Sequence, residues 1–128
     1  MKSGGDSMGQ KVAILGASAK PERYANQAFH MLRDYGHTVL PISPVLKELE
    51  GVPVLRSLGD ITGPVDTLTM YVGPSVSSGL EAAILKLHPR RVIFNPGSEN
   101  PGLQSALAAA GIEVEEACTL VLLRTNQF

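Results

Sequence analysis

Tryptophan is absent from this chain, and cysteine occurs once, at Cys118. A single cysteine excludes an internal disulfide, so the fold has to rest on a hydrophobic core. His30, His37 and His88 are scattered, without the spacing of a metal site, and read as surface or helix-end residues. Net charge is scarce too: 11 Lys and Arg against 12 Asp and Glu give a formal −1 at pH 7. That balance offers no electrostatic footprint for nucleic acid or for an anionic membrane. No apolar run approaches the roughly 20 residues that a spanning helix needs. Met1 to Gln10 is polar and Gly/Ser-rich rather than a charged segment ahead of an apolar one. The expected location is cytoplasmic, with residues 1–10 a disordered leader or expression remnant. The chain as a whole, 128 residues with 44% hydrophobic and 18% charged, suits one domain over residues 11–128.

Within that domain the densest signal is Lys11-Val12-Ala13-Ile14-Leu15-Gly16-Ala17-Ser18-Ala19-Lys20-Pro21-Glu22-Arg23. It reads as a buried strand emptying into a tight turn ahead of a helix. Such a turn presents backbone N–H groups at a helix N-terminus, where the helix dipole favours an anion, and Lys20 and Arg23 add positive charge beside it. Gly16 and Ser18 occupy the first two glycine positions of a G-x-G-x-x-G pattern and Pro21 the third, so the dinucleotide fingerprint is incomplete.

Ala25, Ala28, Phe29 and Leu32 recur at helical spacing, and Gly36 follows as a stop. His37-Thr38-Val39-Leu40-Pro41-Ile42-Ser43-Pro44 is the second strand, despite Pro41. Gly51-Val52-Pro53 is expected to turn, and Val54 to open a short third strand. Val65 to Val72 is a strand, Gly73-Pro74-Ser75 turns into a helix, and Val76, Leu80, Ala83, Ile84 and Leu87 share that helix's inner face. Arg91 to Asn95 is a further strand and Pro96-Gly97-Ser98 its turn, with Leu103, Leu107 and Ala110 inward on the next helix. Ile112-Glu113-Val114 is a last short strand, and the acidic cluster Glu113, Glu115 and Glu116 reads as its solvated end. Leu120-Val121-Leu122-Leu123 reads as a core-facing end strand, with a homodimer contact as the alternative.

Alternation of β and α elements with short Gly/Pro turns predicts an α/β fold. The expected architecture is a Rossmann-like, doubly wound, mainly parallel sheet of about five strands with helices on both faces. Ligands of such sheets bind outside the carboxyl ends of the strands, where strand order reverses. The turns at Gly16-Ala17-Ser18, Val72-Gly73-Pro74 and Asn95-Pro96-Gly97 converge there, with Ser43-Pro44 on the flank. A carboxylate that would hold a free ribose 2′-hydroxyl is missing at the end of the second strand, and Lys47 lies nearby. The pocket therefore suits a ribose carrying a phosphate, as in NADP or coenzyme A.

The chain resembles the small, stand-alone CoA-binding proteins of the Rossmann type and the CoA-binding domain of the succinyl-CoA synthetase α subunit, from Lys11 to about Leu123. The resemblance is carried by Gly16 to Arg23, Val39 to Pro44, Val65-Asp66, Tyr71-Val72-Gly73-Pro74 and Glu116-Ala117-Cys118-Thr119. It implies that Ser18, Ala19, Lys20 and Pro21 contact CoA phosphates and that Ser43 and Lys47 lie near the 3′-phosphoadenosine end. It further implies that Val72 and Pro74 wall the adenine or pantetheine, and that Asn95 and Pro96 follow the pantetheine arm. Cys118 reads as a small buried hydrophobe; if it faces the pocket instead, the resemblance puts it at the thiol end of CoA, where it could form a mixed disulfide with CoA. An Arg expected soon after Val72 is replaced by Gly73.

No Ser/His/Asp set, paired acids or Tyr-x-x-x-Lys set is present, and none of the histidines resembles the phosphorylated histidine of the synthetase. The expectation is a CoA or acyl-CoA binder without chemistry of its own. The alternatives are an NADP-dependent or other nucleotide-dependent enzyme and an interaction domain with an empty site.

Overall fold

The structure, a computed structural model, describes residues 9–128. Its sheet strands are β1 (Lys11–Leu15), β2 (Thr38–Ile42), β5 (Thr67–Met70), β6 (Arg91–Phe94) and β7 (Glu113–Glu116). All pair in parallel, in the spatial order β2-β1-β5-β6-β7. Strand order reverses between β1 and β5, so the switch point lies where the turn signals placed it.

Alternate side chains of each strand feed opposite faces. Val12 and Ile14 of β1 pack with Ala25, Ala28, Phe29 and Leu32 of α1 (Tyr24–Asp34) and with Leu120 and Leu123 of α5 (Thr119–Arg124). Ala13 and Leu15 join Leu68, Met70, Val92 and Phe94 against Ile84 of α3 (Glu81–Leu87) and Leu103 and Leu107 of α4 (Pro101–Ala109). The helices therefore cover both faces, as the element order predicts.

Edge strands explain two local choices. Pro41 is tolerated because β2 is an edge strand, where a missing donor costs no central ladder bond. The Leu55 segment straps that edge: Leu55 N donates to Pro41 O and Ser43 N to Leu55 O, each at 2.9 Å. The opposite edge, β7, carries Glu113, Glu115 and Glu116.

Several expectations are corrected. The turn expected at Gly51-Val52-Pro53 is an antiparallel hairpin, β3 (Glu48–Leu49) with β4 (Val52–Pro53). Glu50 (φ 51°) and Gly51 (φ 79°) form its corner, two positive φ values matching the twist of a tight hairpin. The third strand expected at Val54 is instead a single bridge between Ile42 and Leu55. The helix expected after Gly73 is broken into α2 (Pro74–Ser77), a 3-10 turn (Ser78–Leu80) and α3. The break at Gly79 shifts the helical phase, so Val76 is 53% exposed and Ser77 is buried in its place. Ala110 caps α4 and is exposed rather than inward. The tail expected as a strand is α5, although Leu120, Leu122 and Leu123 do face the core.

Residues 1–8 of the expected leader lie outside the described residues. Gln10, assigned to the same leader, belongs to the folded domain: Thr38 N donates to its carbonyl at 2.9 Å and Thr67 Oγ1 to its side chain at 2.7 Å.

Candidate functional site

The loop from β1 to α1 is shaped first by Gly16, whose φ of +96° a side chain would strain. A Cβ there would also meet Val72 Cγ1 at 3.0 Å and the carbonyl carbon of Tyr71 at 3.3 Å. The amides of Gly16 and Ala17 both donate to Ile42 O, at 3.1 and 3.0 Å, so neither is open to a ligand. Ala17 itself is core, packed on the α1 and α5 face. The amides of Ser18 and Ala19 have no partner among the described residues. Lys20 N donates to Ser18 Oγ at 3.1 Å, and Asn26, buried in the first turn of α1, donates through Nδ2 to Ser18 O at 2.9 Å. Asn26 thus braces the loop from below. The first turn of α1 has no acidic side chain, and Glu22 lies immediately before its N-cap, Arg23.

Above this loop is a cavity of about 570 Å³, lined by Gly16, Ser18, Lys20, Glu22, Arg23, Tyr24 and Ala25 of the loop and first turn of α1 and by Tyr71 and Pro96. The switch-point geometry brings together five of the predicted site residues: Gly16, Ser18, Lys20, Arg23 and Pro96. Ala19 and Pro21 line a neighbouring groove of about 550 Å³ that runs along the outer face of α1 to Glu50.

The remaining predicted residues lie after the carboxyl ends of the strands but line neither space. Ser43 is buried, and its Oγ accepts from Val45 N at 3.2 Å and Leu46 N at 3.3 Å, which turns the chain after β2. Pro44 and Lys47 are exposed on that turn. Val72 packs against Gly16, while Gly73 caps α2 and Pro74 is its first residue. Asn95 is 2% exposed, and its side chain is consumed internally. Its Nδ2 donates to Thr69 Oγ1 (2.7 Å) and Met70 O (2.9 Å), and its Oδ1 accepts from Thr119 N (2.9 Å). Asn95 therefore ties β5, β6 and α5 together beneath the rim. Cys118 is half-buried at the start of α5, packed on the α1 and α5 core.

Glu22, Tyr24, Ala25 and Tyr71 are the lining residues that sequence reasoning missed. The signal for Tyr71 was present, since Thr67, Thr69 and Tyr71 alternate along one face of β5 and end beside Gly16 at the switch point. Tyr71 Oη is buried without a hydrogen-bond partner. Burial pushes its phenol up to about 12, while the Thr119 and Thr69 hydroxyls on its flank pull the other way. Those two hydroxyls bond to one another at 2.8 Å and flank the phenol without a well-formed hydrogen bond to it.

A family model described as "CoA binding domain" matches residues 10–124. Among solved structures, one of cell-free ID.343 from Thermus thermophilus is 34% identical. It has a TM-score of 0.86, with 95% of this chain and 92% of that one covered. The apo dinucleotide-forming acetyl-coenzyme A synthetase 1 of Ca. Korarchaeum cryptofilum shares the fold at 22% identity and a TM-score of 0.71. That match covers 82% of this chain and 25% of the synthetase. The uncharacterized protein YneT of Bacillus subtilis is 29% identical over 62 residues, 48% of this chain. The match spans about half of that relative's length, 46%.

Proposed function

Because this chain belongs to the CoA binding domain family, we propose that it binds coenzyme A or an acyl-CoA at the β1–α1 loop, without catalytic machinery of its own. The observation that carries this reading is the pair of unspent amides at Ser18 and Ala19. They lie in the loop leading into α1, followed by Lys20 and Arg23, with Ser18 on a cavity large enough for part of a nucleotide and Ala19 on the adjoining groove. In this reading Ser18, Ala19, Lys20 and Arg23 take the diphosphate. Ser43-Pro44 and Lys47 flank the 3′-phosphoadenosine, and Val72, Gly73, Pro74 and Pro96 border the pantetheine. Asn95 contributes by holding β6 and α5 in place, and Cys118 stands behind Tyr71, towards the thiol end. The position of Cys118 outside the cavity lining supports binding rather than chemistry.

The test is a thermal-shift comparison of CoA, acetyl-CoA, dephospho-CoA, NADP and NAD. A ligand specific to the native state raises the midpoint according to its occupancy. CoA is expected to raise it, and dephospho-CoA to raise it less. A shift with NADP and none with CoA would replace this reading with that of a nicotinamide-dependent enzyme.

A further inference from the structure

The phenol of Tyr71 is the one buried side-chain polar atom without a partner among the described residues. Its backbone is fixed, since Tyr71 N donates to Leu15 O at 2.9 Å and its carbonyl carbon lies tight against Gly16. Only the side chain has freedom. Tyr71 lines the cavity, while its hydroxyl is shut off from solvent beside Thr69 and Thr119 without a well-formed hydrogen bond to either. Cys118 packs on the same patch of core as the ring and stays outside the cavity lining. An unpartnered buried hydroxyl carries a desolvation cost that a well-packed apolar ring at the same place would not. A side chain that bears such a cost beside an open cavity is poised to move when a polar partner arrives.

We propose that Tyr71 is the gate and specificity residue of this site: its ring closes the inner end of the cavity in the free protein, and a bound ligand with a polar arm draws the hydroxyl outward into a hydrogen bond. This rests on the coenzyme reading and deepens it, since the pantetheine amides are polar groups of the required kind. Binding is thereby coupled to relief of a cost present only in the free state, so the hydroxyl favours the complex twice, by leaving its unpaired position and by gaining a partner.

The experiment compares wild type with Tyr71→Phe, measuring the free-state thermal midpoint and the CoA affinity by calorimetry. Removing only the orphaned hydroxyl is expected to raise the free-state midpoint by about 2–5 °C. It is also expected to weaken CoA binding by roughly three- to tenfold, the range of one hydrogen bond. A residue that merely packs would not move these quantities in opposite directions. A wild type that CoA leaves unmoved overturns the coenzyme reading and this inference with it. If wild type binds CoA, a Tyr71→Phe variant of equal affinity, or one whose free-state midpoint fails to rise, overturns the gate alone.

Discussion

The two rims of the sheet treat their polar groups in opposite ways. At the amino ends of the strands they close on one another. Asp66 accepts from Lys11 N at 2.8 Å, and Thr67 Oγ1 accepts from Arg91 Nε and Nη2 at 3.2 and 3.0 Å while donating to Gln10. Arg91 also pairs with Glu115 at 3.5 Å and lies 4.5 Å over the Phe128 ring, which in turn meets the His37 ring at 5.0 Å. Gln10 N completes the set by donating to His37 Nδ1 at 2.9 Å. At the carboxyl ends, two loop amides and the Tyr71 phenol remain unspent, with Lys20 and Arg23 exposed beside them. The amino-end rim ties its polar side chains to one another, whereas the carboxyl-end rim spends Asn95 and Ser43 internally and leaves the two loop amides without a partner among the described residues.

Substitutions on the two rims should therefore separate stability from binding. The largest effect is expected for Gly16→Val. Its branched side chain meets Val72 and the Tyr71 backbone at a positive φ, which should cost about 2–4 kcal/mol of stability and abolish measurable CoA binding in calorimetry. Arg91→Ala breaks the closed rim, with an expected loss of about 1.5–3 kcal/mol in denaturant unfolding and CoA affinity within about twofold of wild type. Lys20→Ala should do the reverse, leaving stability within about 0.5 kcal/mol and weakening CoA binding roughly five- to thirtyfold.

The smallest effect is a pH dependence at His37. Burial, and then the charge of Arg91, hold its imidazole below the usual 6.5, and its Nδ1 must stay unprotonated to accept from Gln10. The unfolded chain therefore takes up the proton first. The stability due to the neutral ring is complete above pH 6.5, declines as pH falls below that value, and levels off once the folded imidazole titrates. His37→Gln should flatten that part of the midpoint-against-pH curve, and an unchanged curve would remove His37 from the account.

The fold was legible wherever hydrophobic periodicity and punctuation agreed. Ala25, Ala28, Phe29 and Leu32 with Gly36 define α1, and Gly16 and Gly73 bracket the switch point. The four-residue apolar run at Leu120 was ambiguous because a short buried strand and a short buried helix look alike in sequence. The phase shift after Val76 arose from a break that amphipathic counting steps over. In the site, charged and glycine positions were readable because their chemistry is carried in the residue type. The inward commitment of Asn95 and Ser43 was not, since a polar side chain at a turn gives no hint whether its partner is a ligand or the protein's own backbone.

The strapped border along β2 and the row of glutamates on β7 have a consequence for how copies of this chain meet. Leu55 occupies the carboxyl end of one border, and the glutamates of the other discourage pairing with its own image.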